Sequence, residues 1–219
     1  MKTRIVLLGP PASGKGTQAE RIKARFGLQA VSPGAMLREE LRLQTPLGIE
    51  ADRLTRNGSM VPDTTVIELV ARWLSAHSGG FVFDGFPRTL VQAEALEKML
   101  FQHGVTLDIV LYFDVTEETI FERVMNRMTC GQCGRSFSAG LHLTPGQSAC
   151  PECGGVLGRR ADDTPEAVEQ RLVEYREKTD PLVAYYRQRE LLWALNGAES
   201  PDQVFSEIVA ALCPSKDSL

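Results

Sequence analysis

Apolar residues gather in short uninterrupted runs at 5–8, 30–31, 81–83, 109–113 and 192–195, with longer segments of mixed polarity between them. Runs of that length read as strands buried on both faces, and the amphipathic stretches between them read as helices. The alternation predicts an α/β fold with a mostly parallel sheet covered on both sides, whose ligands lie beyond the carboxyl ends of its strands. Several helix starts carry their own signals. Thr116 precedes Glu117 and Glu118, Thr164 precedes Pro165 and Glu166, and Ser200 precedes Pro201, with Gln203 placed to complete a capping box.

Two intervals break the alternation. From 32 to 77 there are helical patterns at 36–43, 47–56 and 64–74 without a strand between them, which predicts a helical cap beside the sheet. The interval 128–159 is rich in Gly, Ser and Pro and holds four of the five cysteines. No internal repeat, heptad or low-complexity segment is present, and residues 214–219 read as a loose tail.

Composition narrows the class. A chain of 219 residues buries one substantial core. A formal charge of −4 and a pI near 5.5 argue against a surface that tracks nucleic-acid phosphates. No apolar stretch approaches the roughly 20 residues of a membrane span, and the run after Met1-Lys2 breaks at Gly9-Pro10, too early for a secretory h-region. The expectation is a cytoplasmic protein with reduced thiols. Cys130-Gly-Gln-Cys133 and Cys150-Pro-Glu-Cys153 then read as two metal knuckles, each followed by glycine and separated by 16 residues. Four thiolates suit a closed tetrahedral Zn²⁺ site that folds the insert and takes no part in chemistry, iron or an oxidised pair being the alternatives. Cys213 reads as an ordinary free thiol.

The run at 5–8 leads directly into Gly9-Pro10-Pro11-Ala12-Ser13-Gly14-Lys15-Gly16-Thr17. A G-x4-G-K turn between a buried strand and a helix is a phosphate cradle. Its backbone N–H groups point at phosphate oxygens, the helix N-terminus adds positive potential, and the Lys15 ammonium reaches the β- and γ-phosphates. A nucleoside triphosphate is the expected ligand. The residue after Lys15 is glycine, and the hydroxyl follows one place later on Thr17.

The run at 81–83 ends in Asp84-Gly85-Phe86-Pro87-Arg88-Thr89-Leu90-Val91-Gln92. Together with the phosphate loop, Ser32-Pro33-Gly34-Ala35-Met36-Leu37-Arg38, Arg160-Ala161-Asp162-Asp163 and Arg171-Leu172-Val173-Glu174-Tyr175, it resembles adenylate kinase of the long-lid, zinc-containing bacterial type over nearly the whole chain. The resemblance implies a P-loop nucleoside monophosphate kinase fold. Its core would span 1–31, 78–127 and 160–219, with an NMP-binding helical flap at 32–77 and a zinc-bearing lid at 128–159. It implies ATP + AMP ⇌ 2 ADP with Mg²⁺, by a monomer that binds neither nucleic acid nor membrane.

The chemistry agrees with the residue types. A monophosphate acceptor attacks with an oxygen that is already anionic, so no general base is needed, and positioning with charge neutralisation is the task. Lys15, Arg88, Arg127, Arg160 and Arg171 supply cations, and His77, His103 and His142 lie outside the motifs. By resemblance, Arg38 and Arg88 grip the acceptor phosphate, Arg160 and Arg171 bridge donor and acceptor, and Arg127 holds the donor phosphates. Arg123, one helical turn before Arg127 and so expected on the same helical face, stacks on the donor adenine, with Ser136 and Phe137 beside it. Asp84 binds Mg²⁺ through water. Asp162 and Asp163 orient the guanidiniums or hold the hinge. Gln92 reads the acceptor base, and Ser59, Met60, Val61 and Gly85 line its pocket.

Three positions depart from the resembled pattern. Pro33 stands where the family usually has Thr, Ala35 where it usually has Asp, and Ala12 where glycine is common. The first removes a hydroxyl facing the acceptor base, worth about 1 kcal/mol, and so loosens AMP selectivity; Pro33 still suits a first helical turn capped by Ser32. Alanine at position 12 is strained if the loop needs a positive φ there. Two alternatives stand beside the main reading: a kinase of UMP or CMP, and a non-catalytic nucleotide-binding relative. A guanine-reading N-K-x-D sequence is absent.

Overall fold

All five apolar runs expected as strands lie side by side in one parallel sheet. The computed structural model describes residues 1–56, 60–139, 143–160 and 163–213. Ser59, His142, Asp162 and the tail 214–219 therefore lie outside the described residues. The first half comprises β1 (Arg4–Leu8), α1 (Lys15–Phe26), β2 (Gln29–Val31), α2 (Pro33–Arg42), α3 (Pro46–Arg56), α4 (Asp63–Ala76), β3 (Phe81–Asp84) and α5 (Leu90–Gln102). The second half runs β4 (Ile109–Asp114), α6 (Glu117–Met125), β5 (Arg127–Cys130), β6 (Ser136–Ser138), β7 (Leu157–Gly158) and α7 (Pro165–Glu174). A π-helical turn (Tyr175–Thr179) follows, then α8 (Pro181–Arg187), β8 (Leu192–Asn196) and α9 (Pro201–Leu212).

The sheet order is β2-β3-β1-β4-β8, with every pairing parallel. Central strands need apolar residues on both faces, which explains the unbroken runs. In β1, Val6 and Leu8 pack with Phe83, Phe86, Leu96 and Tyr186 on one side of the sheet. Ile5 and Leu7 pack with Ile22, Leu111 and Ile208 on the other, under α1 and α9. The expected helix caps form: Thr116, Thr164 and Ser200 accept from the backbone N–H of Thr119, Ala167 and Gln203, the last as a complete capping box. Ser32 likewise caps α2, with Pro33 in its first turn.

The helical cap is α2, α3 and α4, joined by Leu37, Ala51 and Leu69. A side chain at Gly48 would collide with the backbone of Glu40 and Leu41, so glycine lets α2 and α3 approach closely. The insert is a small antiparallel sheet, β6-β5-β7, over a cluster of Cys130, Leu143, Cys150 and Leu157. One expectation is corrected here. Arg123 and Arg127 do not share a helical face, because α6 stops at Met125, Asn126 caps it, and Arg127 opens β5. The Asn126 carbonyl accepts from Ala139 N at 2.7 Å, so pairing with the β6 side has already replaced the helical bond. Among the described residues no helix is long and apolar enough to cross a membrane.

Candidate active site

β1 and β3 are neighbours, with Leu7 in register with Asp84. The loop that follows Leu8 and the Asp84 carboxylate therefore emerge together at the carboxyl edge of the sheet. Gly14, at φ +99°, is the N-cap of α1 and turns the loop into the helix. Buried Ser13 donates its N–H to Pro10 O at 3.3 Å, which closes the turn. Lys15 Nζ donates to Gly9 O at 2.8 Å, Pro10 O at 2.6 Å and Ser13 Oγ at 3.2 Å, so the ammonium sits on the rim of its own loop. Pro11 completes the rim, and Thr17 is exposed on the first turn of α1.

Glycine at 16 makes room for a carboxylate: a Cβ there would lie 3.2 Å from Asp84 Oδ2. Desolvation in this crowded cleft pulls the Lys15 pKa from 10.5 down to about 8; Asp84 opposes the shift, and Arg88 and Arg127 add to it. Ala12 does adopt a positive φ, 56°, at a cost of about 1–2 kcal/mol for an L side chain. Its methyl group packs on the cluster of Ile120, Val124, Val168 and Leu172, which offsets part of the strain.

The loop after β3 positions Arg88. Gly85, at φ +75°, leaves space that a Cβ would deny, since that atom would lie 2.9 Å from an Arg88 terminal nitrogen. Arg88 Nε donates to Gly85 O at 2.9 Å, and the Arg88 carbonyl accepts from Thr179 Oγ1 at 2.8 Å, in the π-helical turn. Phe86 is wholly buried against Phe83, and Pro87 is buried too, so at these two positions the side chains belong to the core. Desolvation lowers the Arg88 pKa; Asp84 and Glu174 oppose it, and Arg171 reinforces it.

A second carboxylate organises two more arginines. Asp163, with its side chain 1% exposed, accepts from Arg127 Nε at 2.8 Å and from an Arg127 terminal nitrogen, and it lies 3.4 Å from Arg171 Nη1. The structure thus brings Lys15, Asp84, Arg88, Arg127, Asp163 and Arg171 into one electrostatic neighbourhood. Arg160 joins this group through its backbone, its carbonyl accepting from Asp163 N at 3.1 Å, while its side chain donates to Thr129 Oγ1 at 3.1 Å and Ser136 Oγ at 2.9 Å, bracing β5 against β6. Phe137 packs against the cysteine cluster, Arg123 lies half-buried on α6, and Arg38 is exposed on α2, near Gly34.

At the edge of the helical cap, Met60 donates its N–H to Glu174 Oε2 at 3.1 Å, and Val61 packs on the cluster of Leu37, Ala51 and Leu69. Gln92 is buried and bonded to Asp63 and to the Arg88 backbone. Asp63, Glu174 and Thr179 were not singled out from sequence. An acid in the first turn of a helix, an acid in the last turn of one, or a Thr in the π-helical turn carries no local mark of such a partner. His77 stacks on Trp73 with ring centroids 4.5 Å apart, away from the phosphate loop.

In the insert, Cys130 Sγ lies 3.5 Å from Cys153 Sγ, and Cys133 Sγ lies 3.7 Å from Cys150 Sγ. All four sulfurs fall within 4.8 Å of one another, and none forms a disulfide. Ligands at about 2.3 Å around a tetrahedral ion stand about 3.8 Å apart, so the set fits zinc. Gln132 N and Cys133 N each donate to Cys130 Sγ at 3.4 Å, an arrangement that stabilises a thiolate.

A phosphate loop at the edge of a parallel sheet, a carboxylate on the adjoining strand and a group of convergent cations define a P-loop kinase with two inserted flaps. The adenylate kinase family profile matches residues 7–191. Adenylate kinases of Carboxydothermus hydrogenoformans and Thermodesulfovibrio yellowstonii are 42% and 39% identical over 211 residues, 95% of this chain and 99% and 98% of theirs. That of Clostridium tetani is 41% identical over 206 residues, 93% of this chain and 95% of its own. The chain belongs to the adenylate kinase family.

Proposed function

We propose that the chain transfers the γ-phosphoryl group of Mg-ATP reversibly to AMP, giving two ADP. The observation that carries this reading is the convergence of Lys15, Arg88, Arg127 and Arg171 on Asp84 and Asp163 at the end of the sheet. Phosphoryl transfer to a monophosphate needs its reactants aligned and its equatorial charge neutralised, and guanidinium groups oriented by the buried Asp163 beside the Asp84 carboxylate do both. Lys15 with the N–H groups of 12–17 holds the donor phosphates, Pro10 and Pro11 shaping the loop without an N–H to donate, and Arg127 supports the phosphates from the stem of the lid. Arg38 and Arg88 take the acceptor phosphate, and Gln92 reads its base beside Met60, Val61 and Gly85. Ser59 belongs to the same proposed pocket.

Arg171 bridges the two nucleotides, and Arg160 joins it when the lid, 128–159, swings over the core. The flap at 32–77 closes from the other side and excludes water, which would otherwise accept the phosphoryl group. Arg123, Ser136 and Phe137 flank the donor adenine. Mg²⁺ supplies charge neutralisation at the β- and γ-phosphates when bound, and Asp84 would hold it through water. Cys130, Cys133, Cys150 and Cys153 would hold structural Zn²⁺. Five cysteines without a disulfide suit a reducing compartment such as the cytoplasm, and two mobile flaps suit a monomer.

ADP formation from Mg-ATP with AMP, UMP, CMP or GMP as sole acceptor tests the reading. The expected result is AMP-dependent turnover that falls on the order of 10³-fold in Arg88→Ala. A preference for UMP or CMP transfers the specificity argument to Pro33, and no turnover with any acceptor overturns the reading.

A further inference from the structure

Both ends of the Gln92 amide are held by partners of fixed polarity. Gln92 Oε1 accepts the backbone N–H of Arg88 at 2.8 Å, and Gln92 Nε2 donates to Asp63 Oδ1 at 2.7 Å. The second carboxylate oxygen, Asp63 Oδ2, accepts from Thr89 Oγ1 at 2.9 Å, and that same hydroxyl oxygen caps α5 on Gln92 N at 3.2 Å. A backbone N–H only donates, and an ionised carboxylate only accepts. A half-turn of the amide would set N–H against N–H and oxygen against carboxylate, losing two hydrogen bonds, one of them charge-assisted. Asp63 lies in the first turn of α4, in the helical flap, whereas Gln92 and Thr89 belong to the core helix α5.

We infer that Asp63 is a positioning residue that fixes the hydrogen-bond sense of Gln92 and thereby favours a 6-aminopurine acceptor over a 6-oxopurine. The inference rests on Gln92 being the base reader proposed above. With both partners in place, the amide keeps one Nε2–H and one Oε1 lone pair. A 6-aminopurine offers a ring nitrogen acceptor beside an amino donor and can engage both. A 6-oxopurine presents the opposite order, an oxygen acceptor beside a ring N–H, which matches the reversed amide. Asp63 therefore acts through Gln92, without itself touching the nucleotide.

The test is steady-state kinetics of the full chain with AMP and GMP as acceptors, together with thermal melting, for Asp63→Asn, Asp63→Ala and Gln92→Leu. Asparagine is nearly isosteric but can also donate, so it tolerates both senses of the amide. The expected result is a fall of about tenfold in the AMP/GMP ratio of kcat/KM for both Asp63 variants, mostly through a higher KM for AMP, with kcat at saturation within about twofold. Gln92→Leu should lower the same ratio. If Asp63→Asn shifts melting, or slows both acceptors equally, while Gln92→Leu alone lowers the ratio, Asp63 is structural and the inference fails. If Gln92→Leu leaves the ratio unchanged, Gln92 is not the reader, and the inference falls with that reading.

Discussion

Lys15 is the residue where local geometry and charge conflict most. Its three hydrogen-bond donors are taken by Gly9 O, Pro10 O and Ser13 Oγ, yet desolvation lowers its pKa to about 8. Because the unfolded chain keeps this proton up to about pH 10.5, the fold carries a full penalty below pH 8 that is relieved as pH rises between the two values. Phosphate binding works the other way: anionic oxygens stabilise the ammonium and raise its pKa. Mg-ATP affinity should therefore be constant below about pH 8 and fall by up to tenfold per pH unit above it, with proton uptake on binding. Calorimetric titration at pH 8.5 in two buffers of different ionisation heat checks this; equal apparent enthalpies would contradict it. Lys15 was legible because its motif is contiguous. Asp63 was not, because its partner Gln92 is 29 positions away and nothing local marks the pair.

At the scale of elements, legibility followed the source of stability. Central strands take theirs from burial on both faces, so 5–8, 81–83 and 109–113 announced themselves as apolar runs. The short strands β5, β6 and β7 carry no such run, and only the cysteine spacing marked their subdomain. The boundary at Asn126 was hidden for a related reason: the spacing of Arg123 and Arg127 fits one helical turn, and the pairing of Ala139 with the Asn126 carbonyl is non-local. Among the described residues of the insert, the buried hydrophobic cluster is two cysteines, Leu143 and Leu157, so it has little apolar core of its own. Its order should depend on the metal. Removing Zn²⁺ with a chelator, with loss verified by elemental analysis, should lower the melting temperature by about 10 °C. An unchanged melting temperature would mean that the insert folds without it.

Over the whole molecule, the segment from Asp163 through α7 and the π-helical turn links the core, the helical cap and the stem of the insert. Asp163, just before α7, holds Arg127 at the stem of the lid and lies beside Arg171 on α7 itself. Glu174 takes the N–H of Met60 at the edge of the helical flap, and Thr179 holds the carbonyl of Arg88 in the core. Asp163 is the member of this set whose loss is costliest, because its removal takes away the buried carboxylate that accepts from Arg127 and lies beside Arg171. Breaking such a pair costs about 3–5 kcal/mol, so Asp163→Ala should melt about 10 °C below the unmodified chain. Nucleotide phosphates bring anionic charge to the same guanidiniums, so saturating Mg-ATP should restore part of that loss. The rise in melting temperature on adding Mg-ATP should then be larger in Asp163→Ala than in the unmodified chain, even as its kcat falls. A smaller rise would mean that Asp163 builds the nucleotide site rather than standing in for the phosphates. In that case the two arginines are not held ready for the ligand but must be assembled by it.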